Sequence, residues 1–153
     1  MSALELKLPP VLVTILLAVT MWPASRLGAE VPAAIGYRLT LLAICLAAAT
    51  VVGLAAVVSF RRANTTVNPL SPEQSSALVE AGIFRHTRNP MYLALLLALV
   101  GWGLFLASFY SLLLAGLFVP YMNRFQILPE ERALETAFGE DFRAYKRRVR
   151  RWL

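Results

Sequence analysis

Long apolar runs without charge, separated by short polar segments, dominate the chain. The first extends from Leu8 to Trp22, the second from Leu39 to Phe60, and residues 89–123 again contain no charged side chain. The runs are continuous rather than alternating between apolar and polar positions, which predicts helices and not the strands of a membrane barrel. A helix needs about 20 apolar residues to cross a bilayer. We therefore expect an all-α integral membrane protein.

The third run is too long for a single span. As one helix, residues 89–123 would extend about 50 Å, whereas the hydrocarbon core of a bilayer is about 30 Å thick. Two short helices that form a hairpin fit this length, with the turn near Ala107 to Ser111. The hairpin and the two N-terminal runs together predict about four transmembrane helices.

From Pro129 onward the pattern changes to that of an amphipathic cytoplasmic helix. Proline suits the first turn of a helix, and Gly139 is expected to break or kink it. Five apolar side chains recur at steps of three and four residues, the period of one helical face: Leu134, Phe138, Phe142, Tyr145 and Val149. We expect one membrane domain, with two spans in residues 1–60 and a loop, the hairpin and the tail in residues 61–153.

The positive charges explain the expected orientation. The chain is 58% hydrophobic with a net charge of +6, and its cations flank the apolar runs. Arg61 and Arg62 end the second run, and basic residues dominate 146–151, so the positive-inside rule places both termini and the 61–90 loop on the cytoplasmic side of the inner membrane. Membrane lipids are the expected contacts. Topology accounts for the cations, so we expect no nucleic-acid partner, and the pattern leaves the oligomeric state open.

The dipeptide Asn89-Pro90 opens the third run. Asparagine caps a helix with its side chain, and proline is preorganised for the first turn. Such a start also directs free N–H groups at the interface, where an anion could bind, with Arg85 and Arg88 beside it. His86, the single histidine, has no cysteine or carboxylate at metal-ligand spacing, so no metal site is expected. It is either a loop residue or a catalytic base.

Two adjacent glutamates follow the hairpin. Neighbouring residues on a helix diverge by about 100°, so at most one of Glu130 and Glu131 is expected to face inward. Glu130 lies four residues before Leu134 and therefore on the apolar stripe, whereas Glu131 is expected to point toward solvent. A carboxylate on an apolar face near a membrane is costly unless it is paired or used. Glu130 therefore either compensates the helix dipole or contacts a ligand.

An ordered set of motifs extends over roughly residues 60–152. It consists of Gly82-Ile83-Phe84-Arg85-His86-Thr87-Arg88-Asn89-Pro90-Met91-Tyr92, a hydrophobic hairpin, Pro129-Glu130-Glu131-Arg132, Phe138-Gly139-Glu140-Asp141-Phe142 and Tyr145-Lys146-Arg147-Arg148-Val149. This set resembles the isoprenylcysteine carboxyl methyltransferase family and the related phospholipid methyltransferases. The resemblance implies an enzyme that uses S-adenosylmethionine, bound at the cytoplasmic side between the hairpin and the tail. By position, its cofactor contacts would be Leu78, Val79, Phe84, Asn89, Pro90, Met91, Tyr92 and Glu130.

Two departures from the family pattern bear on the acceptor. Eukaryotic members have Arg-His-Pro where this chain has Arg88-Asn89-Pro90, and an arginine that is thought to meet the substrate's carboxylate corresponds here to Gln126, with Arg124 nearby. We take Arg124 and Gln126 as candidate substrate contacts.

The candidates for a part in the chemistry are Arg88, Glu131 and His86. The acceptor is expected to be lipophilic, with an isoprenylcysteine-like carboxylate as the first hypothesis. A phospholipid amine is the alternative acceptor, and a non-catalytic lipid-binding scaffold is the alternative function.

Overall fold

The computed structural model describes residues 5–28, 31–63 and 78–153, so the part of the predicted loop at 64–77 lies outside it. Within the described ranges the chain is helical and contains no strand, as predicted. The α-helices are α1 (Pro10–Ala24), α2 (Ile35–Arg62), α3 (Pro90–Leu106), α4 (Phe109–Met122) and α5 (Leu128–Arg148). A 3-10 turn (Gly82–Arg85) precedes α3, and a π-helical turn (Asn123–Ile127) joins α4 to α5.

The predicted hairpin turn is confirmed. Helix α3 ends at Leu106, Ala107 adopts a left-handed conformation with φ of 50°, and α4 begins at Phe109. The N–H of Ala107 donates to the carbonyl of Leu104 and closes the helix end. The two arms pack against each other, but the passage of each arm through a bilayer stays a prediction.

Helix α2 is the one described helix that is long and apolar enough to cross a membrane, while α1 and α3 are shorter apolar helices. Its 28 residues extend about 42 Å. Only 6% of its most apolar stretch is buried inside the protein. Large contiguous apolar surfaces mark contact with a membrane or a partner, so the exposed face of this helix is suited to such contact. The four-span topology and the cytoplasmic position of the termini stay predictions.

Helices α2 and α3 approach closely where α3 carries a glycine. A Cβ atom added at Gly101 would lie 2.6 Å from the Cβ of Cys45 on α2, closer than real Cβ contacts. Helix α1 packs on the other side of the hairpin through side chains that donate to its carbonyls. Ser111 donates to Met21 at 3.0 Å, and Trp102 donates to Ala18 at 3.0 Å.

The tail helix begins at Leu128, so Pro129 lies in its first turn as predicted, and the π turn joins it to α4 without a break. Proline lacks an N–H group, so the carbonyl of Phe125 four residues earlier receives no bond from it. That carbonyl instead accepts the N–H of Leu6 at 3.0 Å. The N-terminal segment thus uses the acceptor that the proline leaves free.

Helix α5 bends sharply at Gly139, as predicted. This glycine has φ of 54° and ψ of −121°, outside the helical region. Lys146 Nζ lies 3.2 Å from Glu135 Oε2, although eleven residues of straight helix would separate them by about 16 Å. The bend gathers the five predicted apolar side chains and Leu78 into one cluster, which confirms the predicted apolar face.

Candidate active site

The start of α3 is not capped as the sequence predicts. Asn89 occupies the N-cap position, but its side chain makes no capping hydrogen bond. Its Nδ2 atom instead donates to the carbonyl of Arg151 at 2.9 Å. The prediction is wrong because a segment distant in sequence offers this amide group an acceptor. The first turn of α3 is therefore left without a side-chain cap.

That segment, residues 149–152, is called here the 149–152 strap. It leaves α5 in an extended conformation, with Val149 at φ of −123° and ψ of 133°. The N–H of Arg88 donates to the carbonyl of Arg150 at 3.0 Å, and the buried Thr87 hydroxyl donates to that of Arg151 at 3.3 Å. Trp152 Nε1 donates to Asn123 Oδ1 in the π turn at 3.1 Å. The strap thus links the start of α3 to the π turn.

An ion triad lies beneath the strap. Glu131 accepts from Arg88 Nη2 at 2.8 Å and from Arg151 Nη2 at 2.7 Å and Nε at 3.1 Å. The side chains of Arg88 and Glu131 are only 11% and 9% exposed. The other terminal nitrogen of Arg88 donates to the carbonyls of Lys146 and Val149 at 3.0 and 2.9 Å. Arg88 is therefore fixed on several sides.

The buried position of Glu131 corrects the prediction that this side chain points toward solvent. The prediction considered only the apolar stripe of the tail helix, but the strap folds back and covers the face that Glu131 occupies. Burial alone would raise the pKa of Glu131. The hydrogen bonds and charges of Arg151 and Arg88 outweigh this effect and hold the pKa below its usual range.

Glu130 also faces the protein, so both glutamates are enclosed. Its carboxyl group accepts a hydrogen bond from the Tyr92 hydroxyl in the first turns of α3. Burial raises the pKa of Glu130 to about 8, and the charge of Glu131 adds to this, while the Tyr92 hydrogen bond opposes it. The two neighbouring carboxyl groups therefore differ in protonation, because one has cationic partners and the other has a phenol.

The remaining predicted cofactor contacts do not lie together. Val79, Phe84 and Met91 pack together around Ala56 of α2, beneath the start of α3. Leu78 packs instead on the cluster at the end of α5, and Pro90 is buried in the first turn of α3. The side chain of His86, by contrast, is exposed, and its backbone N–H donates to the carbonyl of Ile83.

The two predicted substrate contacts lie in the π turn and face the N-terminal segment. Arg124 is half exposed and pairs with Glu5 at 2.8 Å, and Glu5, whose side chain is 2% exposed, also pairs with Arg132 at 2.7 Å. Gln126 is fully buried, and its Nε2 donates to the carbonyl of Leu8 at 2.6 Å. Its Oε1 has no hydrogen-bond partner among the described residues.

An open cleft of about 690 Å³ lies between the 3-10 turn and the end of α5. Its walls carry both charges, since Arg148 pairs with Glu80 at 2.7 Å. Of the predicted cofactor contacts, only Leu78 contributes to its lining, which consists of Leu78, Glu80, Ala81, Arg85, Tyr145, Arg148 and Val149. Among the described residues, no three His, Cys, Asp or Glu side chains are placed to hold a metal ion.

Sequence reasoning missed Arg151, Thr87, Trp152 and Glu5 as residues around the site. Arg151 was counted among the basic residues of the tail, and its partner Glu131 lies twenty residues earlier. The one local signal was Thr87, whose hydroxyl accepts the N–H of Asn89 at 3.2 Å. A small hydroxyl residue two positions before a helix start is typical of such local bonds.

Comparison with known families adds to this geometry. A family model described as phospholipid methyltransferase matches residues 32–141 of the chain. The chain belongs to the phospholipid methyltransferase family. An uncharacterized protein of Haemophilus influenzae is 48% identical over 63 residues, which is 41% of this chain and the whole of that protein. No solved structure matches the chain.

Membership of the phospholipid methyltransferase family indicates a membrane methyltransferase. The matched region includes α2, the hairpin and the start of α5, and therefore Arg88, Glu130 and Glu131. The 149–152 strap and its Arg151 lie beyond the match. Two members of the ion triad therefore lie within the matched region, and the third lies beyond it.

Proposed function

We propose that the protein transfers a methyl group from S-adenosylmethionine to a lipophilic acceptor at the membrane surface. The observation that carries this proposal is the meeting of the uncapped start of α3 with Glu130 and the ion triad, in a chain of this family. The start of α3 could bind an anion, and beside it lies the carboxyl group of Glu130, which has no cationic partner among the described residues.

The residues present fit the polar groups of this cofactor. Pro90 has no N–H, and the N–H of Leu93 already donates to Asn89, so the amides of Met91 and Tyr92 remain for the cofactor's carboxylate. Glu130, held by Tyr92, would accept from the amino or ribose hydroxyl groups. The cleft beside Leu78 has the volume of pockets that take small molecules, roughly 300–1,000 Å³.

The protein's share of the chemistry is alignment and exclusion of water. When bound, S-adenosylmethionine supplies a methyl group that its sulfonium has already activated. Arg88 would present a fixed positive charge beside the start of α3, because Glu131 and two carbonyls near the strap hold its guanidinium. Such preorganised groups lower the barrier because they need no reorganisation during the reaction.

We propose an amine acceptor ahead of a carboxylate. Arg124, the nearby cation, already pairs with Glu5. The Oε1 atom of Gln126 is buried without a donor, because its Nε2 is committed to Leu8 and so fixes the orientation of the amide. A buried acceptor of this kind is satisfied by an N–H group and repels a carboxylate. We therefore place a phospholipid amine ahead of an isoprenylcysteine-like carboxylate.

An amine acceptor must lose a proton before it attacks the methyl group. Of the two glutamates, Glu130 is the one whose pKa, raised to about 8, would let it exchange a proton near the working pH if the amine lies within hydrogen-bond reach. The arginines hold the pKa of Glu131 low, which makes that carboxylate a weak base. His86 has an exposed side chain. Glu131 and Arg88 then act through charge and position.

The first experiment is calorimetric titration of S-adenosylmethionine into the detergent-purified protein and its Glu130→Ala variant. We expect micromolar binding by the wild type and a dissociation constant raised by about 10–100-fold in the variant, since a hydrogen bond to a charged group contributes about 1.5–3 kcal/mol. Glu140→Ala removes an exposed glutamate of the same helix and serves as the control.

Absence of binding by the wild type would contradict the proposal and favour a lipid-binding scaffold. If the cofactor binds, transfer of an isotope-labelled methyl group into a membrane lipid extract identifies the acceptor. Label on a phosphatidylethanolamine amine supports the acceptor that we favour. Label in a base-labile ester would instead support the carboxylate.

A further inference from the structure

Hydrogen bonds to several parts of the protein hold the 149–152 strap in place. Its carbonyls accept from the backbone of Arg88 and from the side chains of Thr87, Asn89 and Arg88. Together with the Trp152 bond to the π turn, these contacts reach both the start of α3 and the end of α4. The strap therefore ties the start of α3 to the π turn that leads into the helix of Glu130 and Glu131.

Within the strap, Arg151 makes the charged contact. Its guanidinium donates to both oxygens of Glu131, at 3.1 and 2.7 Å, in the bidentate geometry that fits arginine and not lysine. Glu131 in turn holds Arg88 at 2.8 Å. Removing Arg151 would leave Glu131 with one cation and would free the strap from the side of α5. Asn89 would then lose the carbonyl that keeps its side chain away from its own helix.

We propose that Arg151 is a positioning residue of the cofactor site, which docks the strap through Glu131 and so fixes Arg88 and Asn89 at the start of α3. This inference rests on the proposed function, because it takes the start of α3 as the place where the cofactor's carboxylate binds. Docking of the strap and binding of the cofactor are then coupled. Coupling of this kind is reciprocal, so the cofactor must also hold the strap in place.

The strap offers a matched control at the preceding position. Arg150 has an exposed side chain and contributes its carbonyl to the docking. Arg150→Gln and Arg151→Gln therefore remove the same charge from adjacent residues, but only the second breaks the pair with Glu131. Arg151→Lys keeps the positive charge but removes the two parallel N–H donors of the guanidinium. It therefore tests whether charge alone is enough or bidentate geometry is required.

The test measures two quantities on the full chain in detergent. The dissociation constant of S-adenosylmethionine is measured by calorimetry. Docking of the strap is measured by hydrogen exchange at the Arg88 amide, which donates to the carbonyl of Arg150. In Arg151→Gln we expect at least tenfold weaker cofactor binding and at least tenfold faster exchange, with both within twofold of wild type in Arg150→Gln. Arg151→Lys is expected to lie between them.

A further measurement on the wild type distinguishes positioning of the cofactor site from a purely structural role of Arg151. Saturating S-adenosylmethionine is expected to slow exchange at the Arg88 amide at least fivefold. Equal cofactor affinity in Arg151→Gln and Arg150→Gln would overturn the proposal, as would exchange that ignores bound cofactor. If the wild type fails to bind the cofactor, the proposed function fails and this inference with it. Exchange in the two variants without cofactor still reports whether Arg151 docks the strap.

Discussion

Two adjacent glutamates show how strongly a neighbour decides the state of a side chain. Glu131 lies between two guanidinium groups and is held as a carboxylate, whereas Glu130 bonds to a phenol and keeps its proton to a higher pH. Both follow Pro129 in the first turn of one helix, so their difference arises from long-range partners. One site thereby contains a fixed charge and a carboxyl group that titrates near neutrality.

The raised pKa of Glu130 predicts a pH-dependent stability. Its value is about 8 in the folded protein against 4.5 for the ordinary side chain, so the folded state binds this proton more tightly than the unfolded state. The resulting stabilisation is full below about pH 4.5 and is lost as the pH rises to about 8. Glu130→Gln removes this dependence. We expect the Tm of the wild type to fall by roughly 10–20 °C relative to Glu130→Gln between these pH values.

Thermal unfolding in detergent at a series of pH values measures this difference. Glu140→Gln is the control, because Glu140 is exposed on the same helix. Parallel curves for the wild type and Glu130→Gln would contradict the burial of an uncompensated carboxyl group at this position.

At the scale of the element, two departures from regular helix geometry build the site. The π turn carries α4 directly into α5, and the bend at Gly139 returns the second half of α5 toward the first. π-helical turns are rare and are often found at functional sites. Without the return at Gly139, the strap would project away from α3, and Arg151 would not reach Glu131.

The Gly139 conformation predicts a large effect for a small substitution. At φ of 54° and ψ of −121° an alanine is strained, although nothing lies within 4 Å of the Cβ atom that it would add. We expect Gly139→Ala to lower the free energy of unfolding by about 1–3 kcal/mol or to straighten the helix. A carbodiimide crosslink between Glu135 and Lys146 should form in the wild type and be lost or reduced in the variant.

Gly116→Ala is the matched control for this substitution. Gly116 lies inside α4 with helical geometry, and its added Cβ atom would also meet nothing within 4 Å. Alanine is favoured over glycine by up to about 1 kcal/mol in a helix interior, so this variant should be as stable as the wild type or more stable. A similar loss of stability in both variants would show that the bend is not the cause.

At the scale of the whole molecule, the exposed apolar surface of α2 predicts association with a membrane. Val51 lies near the middle of this helix and is 67% exposed. Lysine at the centre of a membrane helix costs about 2.5–3.5 kcal/mol in insertion. We expect Val51→Lys to reduce the fraction of the protein that stays in membranes after an alkaline wash. Leu27→Lys is the control, because Leu27 is 74% exposed but lies beyond the end of α1.

Much of the helical framework follows from the sequence, because its signals are local. The length of the third apolar run predicted a turn near Ala107 to Ser111, where α3 ends and α4 begins. The spacing of three to four residues predicted that the apolar side chains from Leu134 to Val149 share one face. The position of Glu131 did not follow, because its partners Arg88 and Arg151 lie 43 and 20 residues away. The prediction for Asn89 was wrong for the same reason. Its side chain bonds to the carbonyl of the distant Arg151 and does not cap its own helix. A single sequence records such residues without recording which pairs meet.

The charged residues of α5 form two sets that ionic strength should separate. Glu135 and Glu140 pair with Arg143, Lys146 and Arg147 in contact with solvent, where 1 M salt reduces the Debye length to about 3 Å. The pair of Glu131 with Arg88 is enclosed and is screened much less. Concentrated salt therefore weakens the pairs of Glu135, which cross the bend, and those of Glu140 more than the pair of Arg88 with Glu131. A rise in salt concentration becomes a means of loosening the tail while the site stays assembled.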